Sequence, residues 1–190
     1  MNKRYFIWII CLLLCIPLTG CEEEVSHDNN NNTEEKQDES IPKEYRKALD
    51  KAIIYSENMH MSKLGIYDQL ISEYGENLSK EAAQYAVDNL EANYKENALK
   101  NAENYSESMH MSKLGIYEQL VSEYGEQFTK EEAQYAVDNL EANYKENALK
   151  SAQSYKELDM SKDEIYDQLI SEYGEQFTKE EAKYAIEHLE

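Results

Sequence analysis

The sequence is poor in cysteine, glycine and basic residues, and each shortage excludes a class of protein. Three cysteines among 190 residues cannot build a disulfide framework. Six glycines form neither a glycine-rich phosphate loop nor a calcium-binding loop with alternating aspartates. Nineteen basic residues face 39 acidic ones, a formal charge of −20, whereas duplex DNA is bound through Lys and Arg. The composition therefore argues against a nucleic-acid-binding protein.

The first twenty residues have the layout of an export signal. MNKR carries two positive charges, an apolar run of about fourteen residues follows, and the segment ends in Leu18, Thr19, Gly20 and Cys21. This order is typical of a secretory signal peptide, and the run is shorter than the roughly 20 residues that span a membrane. The last four residues also resemble the lipobox of bacterial lipoproteins, in which Cys21 would be lipidated and become the new N-terminus. The alternative is an ordinary secretory signal in which a cysteine falls here by chance.

The segment after Cys21 predicts a tether. EEEVSHDNNNNTEEKQDES is acidic, rich in Asn and almost free of large apolar residues, so it cannot bury enough surface to offset the entropy of ordering. We expect a disordered spacer over residues 21–42, although an Asn run can also arise without a role. Ile41–Pro42 marks its end, because the residue before a proline disfavours helical geometry.

The rest of the chain repeats one unit with a period near 50 residues. Residues 83–100 recur unchanged as residues 133–150, and a looser copy follows. After a signal peptide (1–20) and the tether (21–42), we divide the chain into repeat 1 (43–94), repeat 2 (95–144) and repeat 3 (145–190). Such a period indicates an array of one supersecondary unit. The predicted fold class is all-α, a tandem array of three small three-helix (helix-turn-helix-like) repeats forming an elongated rod after a disordered tether.

The second copy shows the three helices most clearly, because apolar residues recur there at three- and four-residue spacing. Ser112 is placed to cap the second helix, Gly125 to end it in a left-handed conformation, and Thr129 with Glu132 to form a capping box. Phe128 precedes that box and is expected to pack onto the domain. The predicted apolar faces are Ala98, Leu99, Ala102, Tyr105 and Met109 in the first helix, Tyr117, Leu120, Val121 and Tyr124 in the second, and Ala133, Ala136, Val137 and Leu140 in the third.

The first copy departs from this pattern at the start of its third helix. Ala82 stands where the capping box needs an acid. The start of the third helix of repeat 1 should therefore be less stable by about 0.5 kcal/mol.

The junction between repeats leaves two possibilities open. EANYKEN, between Leu140 and Ala148, contains neither Gly nor Pro, and the apolar spacing continues through it. One continuous helix of about 28 residues would span roughly 42 Å. The alternative is a short linker helix with a kink near Asn143 or Asn147. Units of about 45 residues have marginal cores, so contact between neighbouring repeats should matter in either case.

The sequence offers no catalytic site, no metal site and no cofactor-binding motif. His60 and His110 stand at equivalent positions between two methionines, without partners at metal-ligand spacing. We interpret both as turn residues between helices. The chain is therefore predicted not to be an enzyme and to need no cofactor.

Tyrosine and acidic pairs provide the candidate partner-binding residues. Fifteen of the sixteen tyrosines lie in the repeats, where most are expected to fill the small cores. Some rings can instead line an exposed groove, since tyrosine is favoured at interfaces. The acidic pairs that open the third helices are explained by capping but also lie close to those rings. The candidates are Tyr85, Tyr135, Tyr184, Glu131, Glu132, Glu180 and Glu181.

The repeat resembles that of the Ltp-type host cell surface-exposed lipoproteins. The shared pattern is AL-x-x-A-x-x-Y, then M-x-M-S-K-x-x-I-Y-x-QL-x-SEYG, then F-T-x-EEA-x-YA-V-D-x-L, and it covers all three units. Repeat 1 departs from it at Leu78 and Ala82, and repeat 3 lacks one residue before Met160. These departures leave the proposed core intact.

The resemblance implies a role in superinfection exclusion. Members of this family are carried by prophages of Gram-positive bacteria, are lipid-anchored on the outer face of the cell membrane, and block DNA injection by other phages after adsorption. The implied partner is a basic segment of the phage tape measure protein, bound by an acidic protein that we expect to be monomeric. The alternative is a general envelope or surface-binding lipoprotein (adhesion or wall interaction) without a phage role. A third class, a receptor mask, would lower phage adsorption itself.

Overall fold

The computed structural model describes residues 40–190, and all regular structure in that range is helical. The described chain forms one compact unit, which confirms an all-α array of three three-helix repeats. Residues 1–39, which include the predicted signal peptide and most of the tether, lie outside the described residues. The helices are α1 (Lys43–Met59), α2 (Lys63–Ile71), α3 (Lys80–Asn89), α4 (Tyr94–Met109), α5 (Lys113–Val121), α6 (Lys130–Asn139), α7 (Tyr144–Lys156), α8 (Lys162–Ile170) and α9 (Lys179–His188).

Each repeat has its own core, in which alanines bring the first and third helices close together. In repeat 2 the alanines of α4 and α6 are fully buried, and these two helices share the most extensive contact within the repeat. Ile116 and Leu120 of α5 are completely buried against them. Burying one such side chain contributes about 1.5–3 kcal/mol. Phe128 closes the core with only 4 % of its surface exposed, as its place before the capping box predicts.

The helix starts in repeat 2 follow the predicted capping pattern. Ser112 accepts a hydrogen bond from the backbone N–H of Gly115. Thr129 and Glu132 form the reciprocal capping box at the start of α6. Each box satisfies two backbone donors that the helix itself leaves unpaired.

The turn after α5 differs from the prediction. Gly125 does not adopt a left-handed conformation, and the left-handed residue is Gln127, at φ 58°. Gly125 is needed for space instead, because a Cβ at this position would lie 2.4 Å from the carbonyl oxygen of Gln119. The chain folds back over the end of α5, where Phe128 donates a backbone hydrogen bond to Leu120 at 2.8 Å.

The apolar faces were predicted correctly except at three positions. Met109 is 53 % exposed and Tyr124, beyond the end of α5, is 92 % exposed. Ile116, which the prediction left out, is fully buried. Met109 and Tyr124 both lie where the backbone leaves the helix, so the helical spacing no longer directs their side chains toward the core.

The junction is a break between two helices. α6 ends at Asn139 and α7 begins at Tyr144, with Asn143 as its cap. The Asn143 side chain accepts a hydrogen bond from the backbone N–H of Glu146 at 3.3 Å. Asn favours caps over helix interiors because its side chain competes for backbone hydrogen bonds, so the continuous helix is excluded.

Buried asparagines join each repeat to the one before it. The Nδ2 group of Asn147, in α7, donates to Ser106 Oγ at 2.9 Å and to the carbonyl oxygen of Met111 at 3.0 Å, both in repeat 2. Asn97 makes the same two contacts with repeat 1. Lys47 occupies this position in repeat 1, where it pairs with Glu76 at 3.5 Å.

Candidate interaction surface

A groove lies between repeats 2 and 3, and we call it the second groove. It has a volume of about 1060 Å³. The second and third helices of repeat 2 form one wall, and the turn after α8 forms the other. Its apolar lining consists of Leu114, Tyr117, Val137, Tyr144, Ile170 and Phe177.

An equivalent first groove lies between repeats 1 and 2. It has a volume of about 740 Å³. Its apolar lining consists of the residues at matching positions, Leu64, Tyr67, Val87, Val121 and Phe128. The near-identical repeats dock through the same asparagine contacts, so the same lining residues meet at both boundaries.

Two glycines face the following repeat, each at a distance where an added Cβ would make an ordinary van der Waals contact. A Cβ at Gly65 would lie 3.8 Å from the carbonyl oxygen of Glu126, and one at Gly115 would lie 3.8 Å from that of Glu175. Both carbonyls belong to the following repeat. Repeat 3, whose corresponding face meets no further repeat among the described residues, carries Glu164 at this position and uses it to complete a capping box with Ser161.

The position just before these residues is leucine in repeats 1 and 2 and aspartate in repeat 3. Leu64 and Leu114 line the grooves although about half of each side chain is exposed, at 52 % and 51 %. Repeat 3 has Asp163 there, and it is exposed. A polar residue at this position suits a face that no further repeat covers, and repeat 3 has no groove-forming leucine.

The rims of both grooves are acidic. Glu118, Glu172 and Glu181 line the second groove together with Lys113. Lys113 is paired with Asp138 at 3.1 Å, so its charge is already compensated. In the first groove Lys63 is likewise paired with Asp88 at 3.1 Å. The charge left uncompensated at each rim is therefore negative.

Tyr144 brings a free hydroxyl to the second groove. Its hydroxyl oxygen is buried and has no hydrogen-bond partner among the described residues. Burial, reinforced by the nearby negative charge of Glu181, raises the pKa of Tyr144 to about 12. Tyr94, which begins α4 as Tyr144 begins α7, also has a buried hydroxyl without a hydrogen-bond partner among the described residues, and burial raises its pKa.

A hydrogen bond from Gln176 connects the two walls of the second groove. Its Nε2 group donates to Glu118 Oε2 at 2.8 Å, across the boundary between repeats. In the first groove the matching residues are Gln127 and Asp68. Asp68 is shorter by one methylene, and its hydrogen-bonding reach is reduced accordingly.

The candidate tyrosines each lie against a residue of their own repeat. The Tyr85 ring is 5.1 Å from the Tyr45 ring. Lys95 Nζ lies 5.5 Å from the centre of the Tyr135 ring, and Lys145 Nζ lies 5.9 Å from that of Tyr184. All three candidates are partly buried. Tyr85 and Tyr135 also line shallow open depressions of about 540 and 550 Å³ on their third helices.

The four candidate glutamates have three different settings. Glu132 and Glu181 complete capping boxes with Thr129 and Thr178, and each also lines one of the two grooves. Glu180 pairs with Lys145 at 2.7 Å, and this contact lowers its pKa. Glu131 is exposed beside the Tyr135 depression.

The proposed lipidation site cannot be placed. Leu18, Thr19, Gly20 and Cys21 lie outside the described residues. Within residues 40–190 no helix is long and apolar enough to cross a membrane. The predicted lipid anchor at Cys21 therefore remains a prediction.

The two repeated histidines are turn residues. His60 and His110 end α1 and α4 in the left-handed conformation, with φ of 52° and 53°. In repeat 3 the left-handed residue is Asp159, with φ of 61°, which lies in the turn after α7 and not at its cap. His and Asp are among the residues enriched in this conformation. In the described part of the chain no three His, Cys, Asp or Glu side chains are grouped to hold a metal ion.

The most exposed aromatic residues were not predicted as candidates. Tyr74, Tyr124 and Tyr173 follow the second helix of each repeat and are 99 %, 92 % and 93 % exposed. Tyr173 also lines the second groove. These tyrosines belong to the SEYG sequence that recurs in each repeat. Apolar spacing alone placed them on the buried face of the second helix, so they were not considered as exposed candidates.

Comparison with known proteins identifies the repeat. The sequence model of the host cell surface-exposed lipoprotein family matches residues 43–90, 93–140 and 143–189. No curated protein matches the chain significantly. These three matches cover most of the chain, and each one spans the three helices of one repeat.

One solved structure is also similar to this chain. It is described as that of Ltp, a superinfection exclusion protein from the Streptococcus thermophilus temperate phage TP-J34, and it shares 44 % sequence identity. The alignment covers 53 % of this chain and 99 % of the phage protein, with a TM-score of 0.49. On the threefold family match, the chain belongs to the host cell surface-exposed lipoprotein family.

Proposed function

We propose that this chain is a membrane-anchored surface lipoprotein that gives superinfection exclusion by blocking phage DNA injection. The observation that carries the proposal is the threefold match to the surface lipoprotein family. The protein named in the similar solved structure is a superinfection exclusion protein, and the proposal gives this chain the same role. It acts by binding and has no catalytic step.

The proposed partner is a basic segment of the phage tape measure protein. Acidic residues exceed basic ones throughout the repeats, and the whole chain carries a formal charge of −20. Charge of one sign over a surface raises the rate at which an oppositely charged partner arrives and repels partners of like charge. An acidic protein held at the membrane is therefore suited to capturing a basic segment that emerges there.

The proposed anchor is a lipid on Cys21, which places the repeats on the outer face of the cytoplasmic membrane of a Gram-positive bacterium. Two acyl chains hold a protein stably on a bilayer, because each buried methylene contributes about 0.8 kcal/mol. The acidic segment that follows Cys21 separates the repeats from the membrane.

The test is infection of cells that express the full chain, with plating efficiency and phage adsorption measured together over a panel of phages. We expect plaques to be lost while adsorption is unchanged, because the block acts after attachment. Reduced adsorption would instead indicate a receptor mask. Normal plating with every phage would favour the general envelope-binding role.

The anchor is tested by Cys21→Ala, with Cys15→Ala as the matched control. Both substitutions remove one thiol from the N-terminal region, but only the first removes the proposed acceptor of the lipid. We expect Cys21→Ala to release the protein from the membrane and abolish exclusion, and Cys15→Ala to leave both intact. Full exclusion by an unanchored Cys21→Ala protein would contradict this part of the proposal.

A further inference from the structure

We propose that the two grooves between repeats are the partner-binding sites, and that each takes the apolar side chains of a lysine- or arginine-rich amphipathic segment. This inference rests on the proposed function and assigns it a place on the molecule. A single repeat contains only one wall of a groove. Two neighbouring repeats are therefore the smallest unit that binds.

The first argument is the exposure of apolar side chains at both boundaries. Leu64 and Leu114 are half exposed although each lies beside buried core residues such as Val87 and Val137. Repeat 3 replaces this leucine with Asp163. A large apolar side chain thus occurs where two repeats form a groove and is absent from repeat 3, whose corresponding face meets no further repeat among the described residues. Exposed apolar patches rimmed by polar residues mark binding surfaces.

The second argument is the charge around the grooves. Glu118, Glu172 and Glu181 surround the second groove, and its one lysine is neutralised by Asp138. An apolar floor with an acidic rim is complementary to a segment that presents apolar side chains on one face and basic groups beside them. Acidic or neutral segments would leave the rim charges uncompensated, which selects against them.

The third argument is duplication. The first and second grooves have matching linings, so one extended partner, or two segments of one partner, can occupy both. Binding at one groove raises the effective concentration for the other, and such avidity can exceed either single affinity by about 10²–10⁴. Three repeats form two grooves, so a third repeat adds a second binding site.

The decisive variants are Leu64→Asp and Leu114→Asp in the full chain. Each introduces the residue that repeat 3 carries at this position, on a half-exposed site, so folding should be retained and can be checked by circular dichroism. These changes make the protein more acidic. Loss of function would therefore show that apolar docking matters and not total charge alone. Met59→Asp and Met109→Asp are the controls, since these methionines are equally exposed at 56 % and 53 % but line neither groove.

We expect the double variant Leu64→Asp/Leu114→Asp to lose exclusion against phages that the unchanged protein blocks, and each single variant to weaken binding about tenfold. The double methionine variant should exclude normally. If the unchanged protein excludes phages and the double leucine variant excludes them equally well, the groove assignment is wrong while the proposed function stands.

Direct crosslinking decides the assignment even where no phage is excluded. Benzoylphenylalanine is placed at position 114 or 109 of the full chain on cells, and a synthetic helical peptide of leucines and lysines is added under irradiation. We expect crosslinking at 114 well above that at 109, and none with a peptide in which glutamate replaces lysine. Equal crosslinking at both positions, or no preference for the lysine peptide, would overturn the proposal independently of the infection result.

Discussion

At the residue scale, two groups of partly buried tyrosines differ in what their hydroxyl groups contact. Tyr155 donates to Glu175, and Tyr105 donates to Glu126, in both cases closing the first helix onto the turn after the second. Tyr144 and Tyr94 are also largely buried, but their hydroxyls have no partner among the described residues. A buried hydroxyl without a partner costs free energy, whereas a hydrogen bond to a charged group stabilises by about 1.5–3 kcal/mol.

Replacing one tyrosine of each group by phenylalanine should therefore have opposite effects. We expect Tyr155→Phe to lower the free energy of unfolding by about 1–3 kcal/mol, because it leaves a partly buried carboxylate without its donor. Tyr144→Phe should leave stability unchanged or raise it, because it removes a group that makes no hydrogen bond. Urea unfolding of the full chain at neutral pH measures both. A large destabilisation by Tyr144→Phe would show that its hydroxyl has a partner.

The raised pKa of Tyr144 also predicts how the stability of the protein depends on pH. Its pKa is raised to about 12 in the folded protein from an ordinary value of 10.0, so the folded state retains the proton more strongly than the unfolded state. Its contribution is complete below pH 10 and is lost as the pH rises toward 12. We expect Tyr144→Phe to reduce the alkaline loss of stability in this window, measured as the thermal midpoint between about pH 10 and 12. An identical decline in both proteins would contradict the assigned shift.

At the scale of single helices, the start of α3 shows how tertiary contact replaces a missing local signal. Repeat 1 has Ala82 where repeats 2 and 3 have a capping glutamate, so a weaker start was predicted. Ser79 still accepts from the backbone N–H of Ala82 at 3.3 Å. Its own backbone N–H donates to Glu44 Oε1 at 2.8 Å, and Glu44 belongs to α1. The capping carboxylate is present but comes from another helix.

Glu44→Ala should loosen the start of α3 selectively. We expect amide hydrogen exchange at Ser79 to become about fivefold faster, because one capping interaction is worth on the order of 1 kcal/mol. Exchange at the start of α6 should not change, since Glu132 caps it locally. The double variant Glu44→Ala/Ala82→Glu restores the local box and should recover slow exchange. Unchanged exchange in Glu44→Ala would show that this contact does not cap the helix.

At the scale of the whole molecule, cooperation between repeats depends on a few buried polar contacts. Each repeat has a separate apolar core, and the helices of different repeats touch far less than those within one repeat. Asn97 and Asn147 supply two hydrogen bonds each across these boundaries. The stability of such arrays is roughly a sum of repeat terms and boundary terms.

Asn147→Ala should uncouple repeat 3 from repeats 1 and 2. The change leaves the Met111 carbonyl and the Ser106 hydroxyl without their donor, at a cost of about 1–3 kcal/mol at the boundary. We expect the single calorimetric transition of the full chain to broaden or split. Asn104→Ala is the control, because Asn104 is exposed and its side chain accepts a hydrogen bond from Ser108 of the same helix, not from another repeat. A sharp single transition in Asn147→Ala would show that the boundary does not depend on this side chain.

The helices and the cores were predictable because their signals are local. Apolar spacing placed Ala98, Ala102 and Leu120 in the core, and the capping residues Ser112 and Thr129 marked two helix starts. Apart from the omission of Ile116 inside α5, the errors lie at chain reversals. The left-handed residue is Gln127 because the fold of the turn, which depends on the Gly125 approach to Gln119, determines the backbone angle there.

The candidate site was predictable in part. Glu132 and Glu181 line the grooves, whereas Tyr85, Tyr135 and Tyr184 lie on the third helices against residues of their own repeats. Their role in binding a partner stays a prediction. Leu64 and Leu114 were missed. The only sequence signal for them was their replacement by Asp163 in the last repeat, and its meaning depends on knowing which face the next repeat contacts.

The sequence by itself determined the helical class, the three repeats and their excess of acidic residues, because each of these follows from composition, spacing or direct repetition along the chain. Only the tertiary structure decided the break at Asn143, the capping of Ser79 by Glu44 and the two grooves. These features depend on residues from different helices or different repeats meeting in space. The free energies of these contacts depend on the distance between the residues and on their burial, and neither can be read from a local sequence pattern.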